Sequence, residues 1–475
     1  MDRRNFLKTS ALAGAGILFT ENALAKGFVY NDFPVVRVAK AQRHFTSEAL
    51  ETVITTFRKN VKNKELVWLF ENCFPNTLDT TVYYKEINGK PDTYVITGDI
   101  DAMWLRDSSA QVFPYLQFAH KDKKLHQLIA GVINKQTHFI QKDPYANAFY
   151  NDENQISKWK ESDLTEMKPG VHERKWEIDS LCYPIRLAYH FWKTTGDTKP
   201  FDADWLKAIK MTLQTFKEQQ RKESLGPYKF QRTTAWATDG VAMGGYGYPT
   251  KPVGLISSMF RPSDDATIYG FLIPSNLFAV VSLRQAAEMV SSIKNETALA
   301  SDLKALADEV EAAVNKYGIY NHPKYGKIYA FETDGFGSFN LMDDANVPSL
   351  LALPYLDAVK LEDPIYQNTR KYVWSDDNPF FFKGIVAEGI GGPHIGLDMI
   401  WPMSLIMKAF TSKDKNEIRY CINTLQKSHG GTGFMHESFH KNDAKNFTRA
   451  WFAWTNTLFG ELLWKTYNEN PDLLG

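Results

Sequence analysis

The run Gly98-Asp-Ile-Asp-Ala-Met-Trp-Leu-Arg-Asp107 is a polar loop with an aromatic and charged end, and it lies between segments of regular periodicity. Upstream of it, residues 82–87 and 93–96 are rich in β-branched and aromatic residues and flank Asn88-Gly89, which predicts a β-hairpin. Downstream, apolar residues recur at helical spacing over residues 125–133. The chain repeats this alternation of helix and polar loop, and the repetition decides the predicted fold.

Helical periodicity recurs along almost the whole chain and amounts to about a dozen predicted helices. Long loops that carry Gly, Trp, Asp and Glu together separate many of them, namely residues 97–108, 169–180, 231–265, 331–346, 384–398 and 430–450. Polar aromatic loops that follow alternate helices favour a toroid of helical hairpins. In that architecture the loops from one end converge on a central pocket. A helical solenoid would give a similar pattern, but the chain shows no fixed sequence repeat that supports one.

The composition excludes several classes of function. The 475 residues include 55 Lys and Arg and 55 Asp and Glu, so the formal net charge is zero and no global charge attracts nucleic acid or an anionic membrane. A hydrophobic content of 44% supports a large core and excludes a disordered chain. The aromatic content of 14% fits a large core, and it also fits flat platforms for a ligand with apolar faces, such as a sugar.

The N-terminus has the features of an export signal. Arg3-Arg4 precedes a short apolar stretch and Ala23-Leu24-Ala25, a small-x-small cleavage pattern, so we predict that residues 1–25 are a signal peptide. The run from Arg3 resembles a twin-arginine signal, although a general secretory signal also accommodates paired arginines. We therefore expect residues 26–475 to form one domain of an exported protein, periplasmic or secreted, without membrane insertion.

The three cysteines, Cys73, Cys182 and Cys421, are far apart in the sequence and odd in number. This pattern disfavours a disulfide framework or a zinc site and suits buried small side chains. One disulfide stays open as an alternative, because exported proteins accommodate them.

The loop after Gly98 has the chemistry that vicinal sugar hydroxyls require. Arg106 offers a planar set of donors, Asp107 offers acceptors, and Trp104 offers a flat face for the C–H side of a sugar. The alternative interpretation is a helix N-terminus with Asp caps and a structural Arg–Asp pair. With Asp99 and Asp101, the carboxylates also suggest a calcium or magnesium site, but their spacing matches no known metal-binding loop.

Two further loops carry candidates for acid and base chemistry. In Arg261-Pro-Ser-Asp-Asp265, one of the adjacent carboxyls Asp264 and Asp265 can enter a pocket while the other caps a helix or pairs with Arg261. A carboxyl in a partly apolar pocket near other carboxylates has a raised pKa, which suits a general acid. Glu437 lies among glycine and apolar residues, where it is suited to deprotonate a water, the alternative being an ordinary surface glutamate.

Five runs resemble glycoside hydrolase family 125, the exo-α-1,6-mannosidases, and they follow one another in the family's order. They are Gly98–Asp107, Phe260-Arg-Pro-Ser-Asp-Asp-Ala266, Ile273-Pro-Ser-Asn276, Met435-His-Glu437 and Thr448-Arg-Ala-Trp-Phe-Ala-Trp454. The resemblance implies an all-α fold, an (α/α)6 barrel that is a toroid of helical hairpins, with the minor β-hairpin added to it. It also implies hydrolysis of terminal α-1,6-linked mannose with inversion, and no metal or other cofactor.

The resemblance assigns the catalytic pair, and residue type and loop position suggest the residues that grip the terminal sugar. The acid is Asp264 or Asp265, with Asp264 preferred although nothing in the sequence decides between them, and the base is Glu437. The expected sugar-binding residues are Trp104, Arg106, Asp107, Glu173, Asp179, Asn276, His436 and Arg449. The expected partner is a mannose-containing oligosaccharide, from mannan or an N-glycan. Two alternatives stay open, namely another glycosidase or phosphorylase activity on the same barrel and a glycan-binding protein without catalysis.

Overall fold

Fourteen α-helices build residues 33–475, the part of the chain that the computed structural model describes. They are α1 (Glu48–Asn60), α2 (Lys64–Cys73), α3 (Asn76–Thr80), α4 (Leu105–Val112), α5 (Lys123–Lys142), α6 (Ile178–Thr195), α7 (Ala203–Gln219), α8 (Ala242–Gly245), α9 (Ile273–Lys294), α10 (Thr297–Tyr317), α11 (Pro364–Val373), α12 (Pro402–Phe410), α13 (Lys415–Ser428) and α14 (Ala453–Glu469). Single 3-10 turns cover Lys40–Gln42, Phe113–Phe118, Ala237–Asp239 and Pro471–Leu474. The predicted signal peptide, residues 1–25, lies outside the described residues.

The long helices form two concentric layers. The inner ring consists of α4, α6, α9, α12 and α14, and it closes because α14 packs against both α12 and α4. Its sixth position is filled by the turns of residues 349–358, where the Tyr355 hydroxyl bonds Glu461 of α14 and the Tyr355 carbonyl accepts from Arg186 of α6. The outer layer consists of α5, α7, α10, α11, α13 and the N-terminal pair α1 and α2. The structure thus confirms the predicted (α/α)6 barrel.

The two layers differ in how their sequences bury apolar groups. In α9, an inner helix, every residue from Ile273 to Val280 is buried, because neighbours surround it on all sides. In α13, an outer helix, buried residues recur at three- and four-residue intervals on one face, at Ile418, Cys421, Ile422 and Leu425. The same difference explains why amphipathic periodicity identifies the outer helices more clearly than the inner ones.

The helix starts also differ between the layers. Side chains of Ser, Asn or Asp cap α1, α2, α5, α7, α11 and α13, each accepting a hydrogen bond from a backbone N–H of the first turn. The five inner helices begin instead after an extended N-cap residue whose side chain makes no capping bond: Trp104, Glu177, Leu272, Trp401 and Phe452. Their first-turn N–H groups therefore lie at the central end of the barrel without a side-chain cap.

Seventeen short strands accompany the helices of the described residues. The predicted hairpin is confirmed, with β1 (Val82–Ile87) antiparallel to β2 (Lys90–Val95) and with positive φ at Asn88 and Gly89, as a tight turn of this type requires. The remaining strands are β3 (Met103–Trp104), β4 (Ala148–Phe149), β5 (Asp163–Leu164), β6 (Val171–Glu173), β7 (Gln231–Arg232), β8 (Phe271–Leu272), β9 (Ile319–His322), β10 (Gly326–Tyr329), β11 (Glu332–Thr333), β12 (Phe339–Asn340), β13 (Phe381–Lys383), β14 (Glu388–Ile390), β15 (Met399–Ile400), β16 (Ser438–His440) and β17 (Asp443–Thr448). Strands β3, β8 and β15 run directly into α4, α9 and α12 or end one residue before them, so they fix where these inner helices begin.

The three cysteines are all buried free thiols, so the alternative of a disulfide is wrong. Burial raises the pKa of the Cys73 and Cys421 thiols to about 12, so both stay protonated at neutral pH. Within residues 33–475, no helix combines the length and the apolar character needed to cross a membrane.

Candidate active site

The polar aromatic loops converge at the end of the barrel where the inner helices begin. Arg106 and Asp107 lie in the first turn of α4, and Asp179 lies in the first turn of α6. Asp264 lies in the loop before α9, and Glu437 precedes β16 in the segment that leads to α14. Residues far apart in sequence are thus brought together because the inner helices all begin at the same end of the barrel.

Arg106 is the centre of the site. Its buried guanidinium donates through Nη1 to Glu177 Oε2 at 2.5 Å and to Asp179 Oδ2 at 3.0 Å. Asp264 Oδ1 lies 3.5 Å from Nη2, and Asp107 Oδ2 lies 3.6 Å from Nε. One cation is therefore shared by four carboxyl groups, and the pKa of Arg106 is well above its usual value despite burial, because all four carboxylates favour its charged form.

Four carboxyls around one guanidinium leave an excess of negative charge in a buried place, which favours protonation of some of them. Burial raises the pKa of Glu177 well above its usual value, and Asp179 and Asp264 add to this effect while Arg106 opposes it. Burial likewise raises the pKa of Asp179, which Arg106 opposes. Burial raises the pKa of Asp107 to about 6, with Arg106 opposing and Asp264 adding.

A second set of contacts holds the loop with the two adjacent aspartates. The Asn147 amide donates through Nδ2 to Asp264 Oδ1 at 3.3 Å and to Glu177 Oε1 at 3.4 Å. The Lys175 ammonium donates to the Asp264 carbonyl at 2.8 Å and to Asp239 Oδ1 at 3.3 Å. Asp264 itself has a positive φ of 69°, a left-handed conformation that is uncommon for a residue with a side chain. These contacts hold the Asp264 carboxyl toward Arg106.

The neighbouring carboxyl, Asp265, points into a different environment. It is fully buried, and its Oδ1 forms an ion pair with His394 Nδ1 at 3.4 Å. Burial raises the pKa of Asp265, but His394, Arg261 and Lys175 outweigh that effect and hold the pKa below its usual value. Arg261 itself pairs with Glu332 at 2.7 Å. The Asp264 side chain, by contrast, is 25% exposed, so only Asp264 of the two is open to a ligand.

The candidate base lies on the opposite flank of the site, beside α14. Glu437 is 6% exposed, and Arg449 Nη1 lies 3.5 Å from its Oε1. Arg449 also donates through Nη2 to Asp99 Oδ1 at 2.5 Å and to Thr97 Oγ1 at 3.1 Å, and its φ is 43°. Through Arg449, the loop after Gly98 and the loop of Glu437 are therefore joined.

Asp107 is the residue between the two flanks. Its carboxyl is close to the guanidinium of Arg106 on one side and is influenced by the charge of Arg449 on the other. One connected group of charges thus contains six of the predicted residues: Arg106, Asp107, Asp179, Asp264, Glu437 and Arg449. Their predicted roles toward a sugar stay predictions.

Other predicted sugar-binding residues have their polar groups engaged by the protein. The Asn276 amide accepts from Ile256 N–H at 2.8 Å and donates to the carbonyls of Ile256 and Leu272, which uses both of its N–H donors. Glu173 is buried and bonds Arg232 at 2.9 Å, and cations including Lys175 lower its pKa although burial opposes this. Both residues shape the loops, and their direct contact with a sugar stays a prediction.

The remaining two predicted residues are packed against aromatic rings. The His436 ring stacks on Phe447 with 3.6 Å between centroids, and burial lowers its pKa to about 4, so it is neutral at physiological pH. Trp104 is 6% exposed and meets His172 edge to face at 5.1 Å. Trp104 lies two residues before Arg106, whereas His436 anchors the loop of Glu437. Contact of either residue with a sugar stays a prediction.

The sequence analysis missed two side chains that complete the site. Glu177 lies in the same run as Glu173 and Asp179, so its neighbours in sequence were a usable signal. Asn147 lies in a segment without a distinctive pattern, and only the fold brings it between Glu177 and Asp264. Asp344 is a further acid near the site: it accepts from Ser263 Oγ at 2.6 Å, and burial raises its pKa to about 6.

The site offers no arrangement that favours a metal ion. Within residues 33–475, no group of three or more His, Cys, Asp or Glu side chains has a geometry that could hold one. In the carboxylate cluster, the Arg106 guanidinium occupies the place between the oxygens that a bound cation would take. The earlier suggestion of a calcium or magnesium site around Asp99, Asp101 and Asp107 is wrong for this reason, since Asp99 is paired with Arg449 and Asp107 with Arg106.

Comparison with known proteins supports the same interpretation. The family model of metal-independent α-mannosidases, glycoside hydrolase family 125, matches residues 63–464. The meiotically up-regulated gene 157 protein of Schizosaccharomyces pombe is 41% identical over 458 residues, covering 93% of this chain and 90% of that protein. A solved structure from Streptococcus pneumoniae is 41% identical to this chain, with a TM-score of 0.86. The match covers 90% of this chain and 100% of that one. That structure is described as a metal-independent α-mannosidase in a non-productive substrate complex with α-1,6-mannobiose.

A more distant structure shares the architecture alone. A bacterial glucoamylase complexed with acarbose is 12% identical with a TM-score of 0.56, over 88% of this chain and 59% of that one. This level of similarity supports the barrel of helical hairpins and says nothing about the substrate.

Proposed function

Because the chain belongs to glycoside hydrolase family 125, the metal-independent α-mannosidases, we propose that it removes terminal α-1,6-linked mannose from the non-reducing end of a mannan or N-glycan with inversion. The observation that carries the proposal is the placement of one accessible aspartate, Asp264, and one glutamate, Glu437, on two flanks of a site with a central guanidinium. The α-1,6-mannobiose in the Streptococcus pneumoniae relative supports the choice of linkage.

In the proposed mechanism, Asp264 is the general acid. Its proton passes to the glycosidic oxygen as the C–O bond breaks, and the leaving sugar departs as an alcohol. Asp264 is preferred over Asp265 because an acid has to touch the substrate, and the Asp265 carboxyl is fully buried against His394. The proximity of Asp264 to three other carboxyls favours a protonated group in its surroundings, which an acid requires at neutral pH.

Glu437 is the proposed general base. It takes a proton from a water that attacks the anomeric carbon from the face opposite the leaving group. Arg449 Nη1, at 3.5 Å from Glu437 Oε1, holds this carboxyl in position. Inversion requires room for the water, so we expect the carboxyls of Asp264 and Glu437 to be about 6.5–9.5 Å apart in the substrate complex.

Exo-action requires a pocket that ends at the terminal sugar. The first turn of α4 supplies Arg106 and Asp107 on one side, and the loop before α14 supplies Arg449 on the other, and these groups suit hydroxyls of a single mannose unit. The fully buried Asp179 supports the Arg106 guanidinium. No charge steering is needed for such a neutral sugar, in keeping with the zero net charge of the chain.

A panel of mannobioses with α-1,2, α-1,3, α-1,4 and α-1,6 linkages tests the linkage, and proton NMR of the early product tests the stereochemistry. We expect hydrolysis of the α-1,6 isomer alone, with β-mannose appearing first. Early α-mannose would refute inversion, and equal rates on all linkages would refute the specificity. Asp264→Asn and Asp265→Asn form a matched pair: we expect the first to abolish turnover of mannobiose and the second to retain measurable turnover. The opposite order would reverse the acid assignment.

The place of action is proposed from the N-terminal sequence alone. Residues 1–25 are expected to direct export and to be removed, so that the mature chain starts near residue 26. N-terminal sequencing of the protein recovered from the periplasm or medium of a bacterial host tests this. An intact N-terminus in the cytoplasmic fraction would refute it.

A further inference from the structure

We infer that Glu177 is the positioning residue of the general acid: it holds the proton that Asp264 delivers to the leaving sugar, and it takes up the next proton after turnover. This inference rests on the proposed function and names a role for a residue outside the proposed catalytic pair. Glu177 is the N-cap residue of α6 and is fully shielded from solvent, so it cannot touch a sugar itself.

The contacts of Glu177 connect it to the acid. Its Oε2 accepts from Arg106 at 2.5 Å and from Ser180 Oγ at 2.7 Å, and its Oε1 accepts from Asn147 Nδ2 at 3.4 Å. The same Asn147 Nδ2 lies 3.3 Å from Asp264 Oδ1, and the same guanidinium lies 3.5 Å from that oxygen. The two carboxyls therefore share two donors, and Asp264 Oδ1 and Glu177 Oε1 are held against the same amide nitrogen.

Two ionised carboxyls held against one amide nitrogen in a buried place repel each other, and one proton on the pair removes this repulsion. Of the two, Glu177 is completely buried, whereas Asp264 is 25% exposed and keeps water as a partner for its negative charge. The proton is thus more stable on Glu177 in the free enzyme. A sugar bound over Asp264 removes that water and favours transfer of the proton to Asp264 at the moment when the acid is needed.

The step balances. The proton moves from Glu177 to Asp264 and from Asp264 to the glycosidic oxygen, while Glu437 removes a proton from the attacking water. Glu177 is left as a carboxylate beside Arg106, which stabilises its charge. Solvent then returns one proton to the Asp264–Glu177 pair after the leaving sugar departs, and Glu437 releases one to solvent, so no co-reactant is needed.

Two substrates that differ in their need for an acid test the inference. α-1,6-Mannobiose requires protonation of its leaving alcohol, whereas 2,4-dinitrophenyl α-mannoside has a leaving group that departs without it. In Glu177→Gln, the amide donates permanently to Asp264 and carries no transferable proton. We expect kcat for mannobiose to fall by about 10²-fold or more, as for loss of acid catalysis, with kcat for the aryl mannoside changed less than about threefold.

The control variant Asp179→Asn removes another carboxyl from the same guanidinium but leaves the Glu177–Asp264 contact in place. It is expected to change both substrates by the same factor. The double variant Glu177→Gln/Asp264→Asn should lose no more mannobiose activity than Asp264→Asn alone, because the two residues act in one step. Equal factors on both substrates in Glu177→Gln, or additive losses in the double variant, would overturn the inference.

A readout that does not depend on activity covers the case in which Glu177→Gln fails to fold. Infrared difference spectroscopy of the wild type at pH 7, with and without mannose, should show the band of a protonated buried carboxyl shift on binding, and the shift should disappear in Asp264→Asn. A band unchanged by mannose would also overturn the inference. Failure of the wild type to hydrolyse either mannoside would instead refute the proposed function.

Discussion

Glu461, in the middle of α14, is expected to limit the stability of the protein at alkaline pH. Its carboxylate lies against the sixth wall of the inner ring, where Oε2 accepts from the Tyr355 hydroxyl at 2.9 Å. Burial raises its pKa to about 7, while Tyr355, Arg186 and Lys465 oppose that rise. Eight residues of helix separate it from the start of α14, or about 12 Å along the axis, so it lies away from the catalytic end.

The magnitude follows from the linkage between protonation and folding. A rise in pKa from 4.5 in the unfolded chain to about 7 in the folded one corresponds to ~3 kcal/mol. Because folding raises the pKa of Glu461, its protonated form favours the folded state. This contribution to the free energy of unfolding is fully present below pH 4.5 and is lost as the pH rises through 7. Unfolding about 440 residues changes the entropy by roughly 0.9 kcal/mol/K, so ~3 kcal/mol corresponds to ~3 °C in Tm.

Glu461→Gln keeps an oxygen that accepts from Tyr355 but cannot ionise. We expect its Tm to match that of the wild type at pH 5 and to exceed it by ~3 °C at pH 8.5, with mannosidase activity retained. Thermal unfolding at half-unit pH steps measures the difference. The matched control is Glu469→Gln on the same helix, an exposed carboxylate paired with Lys465, which should change Tm by less than 1 °C at either pH. Parallel Tm curves for Glu461→Gln and the wild type would refute the reasoning.

Four further predictions concern the site and its supports. Glu437→Gln should lower kcat by about 10³-fold without a change in Tm, because it removes the base, and retention of more than a tenth of the activity would contradict the assignment. The wild-type KM for mannobiose should fall as the pH rises from 5 to 7, because burial raises the pKa of Asp107 to about 6 and Asp107 accepts hydrogen bonds from sugar hydroxyls best as a carboxylate. The same pH dependence of KM in Asp107→Asn would argue against this. Gly98→Ala should destabilise the fold by about 3 kcal/mol, since its Cβ would lie 2.3 Å from the Trp451 carbonyl. The control Gly89→Ala, at a position with a positive φ but no atom within 4 Å, should lower the free energy of unfolding by only about 1 kcal/mol in a denaturation assay. Equal losses would show that steric contact is not the cause. Incubation with EDTA should leave the activity unchanged, and a loss restored by a divalent cation would contradict the metal-free mechanism.

The pattern of the sequence was sufficient for the architecture, and it supplied the candidates for the catalytic pair. Apolar periodicity identified most of the long helices, and Asn88-Gly89 identified the hairpin, because both signals are local. The acid and base candidates were found because their loops carry unusual combinations of residues, such as the adjacent carboxyls Asp264 and Asp265. The resemblance to one family in five ordered runs then identified the barrel, which periodicity alone does not distinguish from a solenoid.

The sequence could not separate residues that contact a ligand from residues that anchor a loop. Asn276, His436 and Glu173 have the same residue types as a sugar site requires, yet their polar groups are engaged by backbone atoms, stacked rings or neighbouring cations. Asn147 had no signal at all, because its role depends on three partners from other loops, Glu173, Glu177 and Asp264. Hydrogen-bond partners distant in the chain are set by the closure of the ring.

The sequence by itself therefore determined the helices and the loops that carry chemistry, and through the family resemblance it proposed which carboxyls react. What only the tertiary structure decided is which carboxyl is open and which is buried. Asp264 and Asp265 are adjacent and chemically identical, but a left-handed backbone at Asp264 points one side chain to Arg106 and leaves the other against His394. The physical reason is that exposure and local charge, which set the protonation of a carboxyl, arise from groups that the fold assembles from distant parts of the chain.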